Sequence, residues 1–293
     1  MLPSSFWLYF AALVCLAVGL YQSRAEISRA RGLQKLVALG PLFLALPLAV
    51  FGAFHFVFTS VVVKLVPAWM PWHLFWAYFV GAALLAAATS IALRRYVRLS
   101  STLLGLMHFS FIVLLHAPAT AAHPASRVAW TILLREVAFA GGAWALAATC
   151  TPGKTGKALL LVARVFIAAA AIFFGIEQIL HPALVPVVPL ARNTPAWIPL
   201  HLFWTYFAGA VMLIAGLAVL IGKKARPAAT YMGAMIVLVL LFVYLPINVA
   251  FAADIAQGLN YFADTLMFAG AVLLLARALR EQRAQVVELA MTA

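Results

Sequence analysis

His73-Leu-Phe-Trp-Ala-Tyr-Phe-Val-Gly-Ala82 returns 128 positions later as His201-Leu-Phe-Trp-Thr-Tyr-Phe-Ala-Gly-Ala210. Each copy follows a near-identical lead-in, Pro67-Ala-Trp-Met-Pro71 and Pro195-Ala-Trp-Ile-Pro199. Agreement of this length is a tandem duplication, and the period has to be recognised before any fold is assigned. Further pairs extend it. Gly105 matches Gly233 and Pro118 matches Pro246 at the same offset, Phe51-Gly52 matches Phe174-Gly175 at 123, and Phe139-Ala-Gly141 matches Phe268-Ala-Gly270 at 129. The first loop of the second copy is therefore five residues longer.

The solvent of this fold follows from composition. Of 293 residues, 67% are hydrophobic and 9% charged, too apolar for a soluble domain of that length. Apolar runs long enough to cross a hydrocarbon core about 30 Å thick recur over residues 6–21, 36–63, 72–93, 100–115, 128–149, 158–180, 199–221, 228–245 and 261–279. Continuous runs, without the alternation of barrel strands, predict helices. The expected fold is all-α and polytopic, with about nine helices in two parallel four-helix-bundle repeats plus an N-terminal accessory helix.

The net charge of +13 resembles that of a nucleic-acid binder, but its placement argues against that function. Lys and Arg gather in alternate loops: Arg24, Arg29, Arg31 and Lys35; Arg94, Arg95 and Arg98; Lys154 and Lys157; Lys223, Lys224 and Arg226; Arg277, Arg280 and Arg283. The intervening loops hold only Lys64, Arg127 and Arg192. That alternation is the positive-inside pattern and predicts an outside N-terminus and a cytoplasmic C-terminus. The first span has no basic residue before it and four just after it, which reads as an uncleaved anchor. The organisation is then an N-terminal helix and basic segment (1–35), repeat one (36–150), a linker (151–157) containing Thr151-Pro-Gly-Lys-Thr-Gly156, repeat two (158–280) and a cytoplasmic tail (281–293). Four spans per repeat make the repeats parallel. Cys15 and Cys150 form no paired spacing, so a disulfide framework or dithiol redox motif is not expected.

Several runs resemble the DoxX/DoxD-like family of small bacterial membrane proteins. In the first half they are Phe51-Gly-Ala-Phe-His-Phe56, Val66-Pro-Ala-Trp-Met-Pro71, His73-Leu-Phe-Trp-Ala-Tyr78 and Glu136-Val-Ala-Phe-Ala-Gly-Gly142. In the second they are Phe174-Gly-Ile-Glu-Gln178, His181-Pro182, Thr194-Pro-Ala-Trp-Ile-Pro-Leu-His201 and Asp264-Thr-Leu-Met-Phe-Ala-Gly270. The resemblance implies four-helix units in the bacterial inner membrane, associated with redox systems such as a thiosulfate:quinone oxidoreductase. A likeness of fold licenses only an analogy of function.

Ionisable groups at membrane depth are costly and mark candidate sites. His55 and His116 end outward spans. His73 and His201 open inward ones, followed by Trp76 with Tyr78 and by Trp204 with Tyr206. Glu177, beside Gln178, shares a helix face with His181 four residues on. Arg135 and Glu136 point about 100° apart on one helix, so each needs a partner elsewhere; Asp264 or Glu177 suits Arg135. The best cofactor-binding candidates are Glu177, His181 and His201, which shifts the expected site to the second half. The apolar loops around Pro67–Pro71 and Pro195–Pro199 are expected to fold back and cap each bundle.

Axial haem ligation by His55 and His116 is not repeated in the second half, where Gln178 and Tyr244 occupy those places. Glu177, His181 and His201 suit a transition metal by ligand type, without a third ligand of fixed geometry. No nucleotide, nucleophile-elbow or zincin motif occurs. The expected role is an accessory or quinone-interacting subunit of a redox system, possessing enzymatic activity only as a quinone-linked oxidoreductase subunit. Transport of a small lipophilic or anionic molecule and a ligand-free scaffold are the alternatives. The expected partners are the lipid bilayer with either a redox enzyme subunit or further copies of the chain.

Overall fold

The computed structural model describes residues 3–255 and 258–292, excluding the side chains of 283–292. It is all-helical apart from one isolated bridge between Leu184 and Asn193. Among the described residues, nine helices are long and apolar enough to cross a membrane. They are α1 (Ser4–Arg29), α2 (Gln34–Val57), α3 (His73–Ala92), α4 (Val97–Ala122), α5 (Arg127–Thr149), α6 (Gly153–Leu180), α7 (His201–Ile221), α8 (Ala225–Ala250) and α9 (Leu259–Thr292). The chain is an integral membrane protein. Helix α9 continues without a break through the segment expected to be a separate tail. Helix α2 stops at Val57, short of the 63 expected, and a short helix, Thr59–Val62, follows it.

The duplication extends to backbone detail. Trp72 and Leu200, which precede α3 and α7, are both left-handed, as are Tyr96 and Lys224 ahead of α4 and α8. Gly222 takes the left-handed position that closes α7 at φ +88°. Its counterpart Arg94 takes the same region at φ +56° despite the steric cost to a residue with a Cβ. In return, the Arg94 guanidinium reaches Glu26 (2.8 Å) and Ser23 (3.1 Å), tying α1 to the repeat.

Helix contacts repeat at the same offsets. Gly52 lies against Leu85 as Gly175 lies against Leu213, and Gly105 against Trp144 as Gly233 against Leu273. Gly141 packs on Phe166 and Ile167 of α6, while Gly270 packs on Phe43 and Leu44 of α2. That last correspondence reveals how the bundle closes. The first helix of each half packs extensively on the last helix of the other half, α2 on α9 and α6 on α5, and barely touches the last helix of its own. The halves are interleaved, and neither encloses a core alone. Helices α5 and α9 cross at the centre, where a methyl group added to Gly142 would come within 2.5 Å of the Ala271 Cβ. Gly142 and Ala271 are themselves equivalent positions, so the pseudo-two-fold axis passes through this crossing. Small residues are what allow two membrane helices to approach this closely.

Candidate functional site

The charged residues of α5 and α9 meet beside this crossing. Ser126 accepts from the Ala129 amide and starts α5, which sets Arg135 and Glu136 about two turns into the bundle. The Arg135 guanidinium donates to Asp264 Oδ2 (2.8 Å) and to Glu136 Oε1 (3.1 Å). Arg135 and Asp264 are equivalent in the two halves at offset 129, so the ion pair joins a residue to its own counterpart across the pseudo-axis. Asp264 was one of two expected partners for Arg135. The Arg135–Glu136 contact departs from the expectation that each would look elsewhere, because the long guanidinium arm bends back along its own helix.

The network has a fourth member. His108 of α4 is buried, and its Nδ1 donates to Glu136 Oε2 at 2.8 Å. The imidazole lies edge-on to Phe111 and Phe139. Its Nε2 and the Arg135 Nε are buried without a hydrogen-bond partner. One guanidinium and two carboxylates sum to one negative charge, and a single further proton makes the cluster neutral. In a low-dielectric interior a net charge is costly, which favours the cluster with that proton bound.

His108 escaped the sequence reading, although a signal was there. Its counterpart at offset 128 is Ile236, so one half holds an imidazole where the other holds a hydrocarbon. His116 lies eight residues beyond His108, which in a plain α-helix would turn the two about 80° apart. The segment Ile112–His116 is a π-helix. A π-bulge inserts one residue and makes the pair behave as i and i+7, within about 20° of each other. His116 is thereby turned toward the His108 face of its helix, within electrostatic range of Glu136 and Arg135. The bulge recurs at Leu240–Tyr244, again just before a proline, and turns Tyr244 into the core.

The second half's candidates have a different purpose. Glu177 meets Arg127 (3.5 Å) and His181 (3.9 Å), with His181 half exposed. Among the described residues no three metal-binding side chains gather, at Glu177 or elsewhere. Gln178 donates to the Val185 carbonyl (3.2 Å) and accepts from the Val187 amide (3.1 Å). The Tyr244 hydroxyl donates to the Pro186 carbonyl (2.6 Å) and Arg127 to the carbonyls of Pro189 and Leu190. All of these hold the loop between α6 and α7 inside the bundle. Val185 and Val187 are fully buried and Ile198 is 1% exposed. The fold-back expected around Pro195–Pro199 is made instead by residues 184–190, and Trp197 stays 52% exposed.

Its first-half counterpart behaves otherwise. Val61 and Leu65, at offset 123 from Leu184 and Val188, are 47% and 69% exposed, so the shorter loop does not enter its bundle, while Trp69 is exposed much as its counterpart Trp197 is. Tyr78 and Tyr206 are exposed, Tyr78 stacking on Phe56, and neither joins the buried cluster. Trp204 stacks on Phe242. His73 and His201 stand partly buried at the first residues of α3 and α7. His55 binds its own helix, Nδ1 to the Phe51 carbonyl at 2.7 Å.

Comparison of the chain with protein-family models, with curated proteins and with solved structures finds no match.

Proposed function

We propose that this membrane protein exchanges protons with a lipid-soluble carrier of the quinone class, as an accessory subunit of a redox system. The observation that carries the reading is the His108–Glu136–Arg135–Asp264 cluster. It is one proton from neutrality and has a histidine nitrogen uncommitted within an apolar bundle. A quinone head group takes up and releases protons as it is reduced and oxidised, and its isoprenoid tail needs apolar surroundings such as Phe111 and Phe139 provide. The runs that resemble DoxX-like proteins point to the same association, in a bacterial inner membrane with the basic loops on the cytoplasmic side.

In this reading Glu136 and His108 hold the exchangeable proton, Arg135 fixes the carboxylate, and Asp264 balances Arg135. Transport between the halves finds less support, because the α5–α9 crossing is closed by direct contact of Gly142 with Ala271. Native mass spectrometry of the gently purified protein tests the reading. The expected result is a retained quinone mass that disappears in Glu136→Gln. Retention of a protein partner alone, or of nothing, would reject the quinone.

A further inference from the structure

The two halves are equivalent in backbone but not at the end of the bundle away from the basic loops. In the second half, residues 184–190 enter the space ringed by the far ends of α6, α7, α8 and α5. The segment presents uncharged chemistry there: the carbonyls of Val185 and Pro186 and the amide of Val187, between valine and proline side chains. Gln178, Tyr244, Thr205 and Arg127 hold it. In the first half the positions of Gln178 and Tyr244 are taken by His55 and His116, and the loop is five residues shorter.

His116, at the position of Tyr244, is left without such a segment, and two further buried donors or acceptors near it have no partner. Tyr244 gives its hydroxyl to a loop carbonyl, whereas no hydrogen bond is formed by His116 among the described residues. Trp76 Nε1 and His108 Nε2 are buried without partners. Helix α4 is also the less covered of the two equivalent helices, with 22% of its apolar stretch buried against 50% for α8. It touches α3 more sparingly than α8 touches α7.

We propose that the far-end mouth of the first half, between α2, α3 and α4, binds an uncharged lipid-soluble molecule with a carbonyl or hydroxyl head group, which occupies the place that residues 184–190 fill in the second half. The ligand enters from the bilayer between α3 and α4, and its head meets Trp76 as donor and His116 as acceptor. His116 then stands between the ligand and the Glu136 cluster. The second half carries its own occupant and takes no ligand. The inference rests on the proposed function in drawing the ligand from the membrane beside a proton-exchanging cluster, but not in the ligand's redox chemistry.

Two diazirine photoprobes in proteoliposomes test it, one a decylbenzoquinol and one a monoacylglycerol. Labelling is expected within residues 55–78 and 108–118, and not within 178–206 or 236–250. Replacing residues 59–72 by a copy of 182–200 should lower labelling at least about tenfold, the equivalent of about 1.4 kcal/mol, with helical content unchanged. If that graft does not fold, Trp76→Phe combined with His116→Leu removes both polar groups, keeps an apolar filling, and should lower labelling equally. Labelling by the acylglycerol alone would uphold the site while removing the quinone from the proposed function. Equal labelling of both halves, or none by either probe, would overturn the site.

Discussion

Arg135 and Asp264 show how duplication has been put to use at a single pair of positions. A residue on a two-fold axis meets its own counterpart, so identical side chains there would place like charges together. Here the counterparts carry opposite charges and bond at 2.8 Å. Removing one member strands the other, at a cost of about 3–5 kcal/mol for a broken buried pair. Arg135→Ala is accordingly expected to lower the melting temperature of the detergent-solubilised protein sharply. Because the positions are equivalent, the exchanged pair Arg135→Asp with Asp264→Arg should recover much of the loss. Recovery stays incomplete because Glu136 loses its guanidinium. No recovery would argue against the axial placement. Charges within apolar runs announced Arg135, Glu136 and Asp264 in the sequence. His108 did not stand out, since its role depends on a partner 28 positions away and on the turn of a second helix.

At the scale of elements, the nine apolar runs correspond to nine long helices among the described residues, because each must satisfy its own backbone in lipid. The π-bulges were not legible. A proline lacks an amide hydrogen and disturbs the preceding turn, but whether the helix kinks or inserts a residue is settled by packing. Two proline-rich apolar loops looked alike in sequence, and five extra residues decided which could reach the interior. The α5–α9 crossing offers a direct check on element packing. Gly142→Leu should cost about 1–3 kcal/mol by overpacking, measured as a shift in thermal unfolding, whereas Ala271→Gly should cost no more than about 1 kcal/mol. Equal effects would mean that the helices do not cross there.

For the whole molecule, nearness in sequence suggested two bundles side by side, yet each half is completed by the first helix of the other. The sequence could not show this exchange, because both arrangements bury the same apolar faces. The arrangement predicts that residues 1–152 and 153–293, coexpressed as separate chains, copurify as one complex, while neither alone yields a monodisperse species. A stable isolated half would contradict the interleaving. The same asymmetry of loops assigns chemistry to the first half, although its partner is richer in conspicuous polar residues. Glu177, the most prominent carboxylate in the sequence, clamps Arg127 at a loop, whereas Glu136 sits in the buried cluster for which proton exchange is proposed. Infrared difference spectroscopy on addition of decylubiquinone to the reconstituted protein separates these roles. A carboxyl difference band is predicted that vanishes in Glu136→Gln and persists in Glu177→Gln. A band that survives Glu136→Gln, or disappears only with Glu177→Gln, would contradict the assignment.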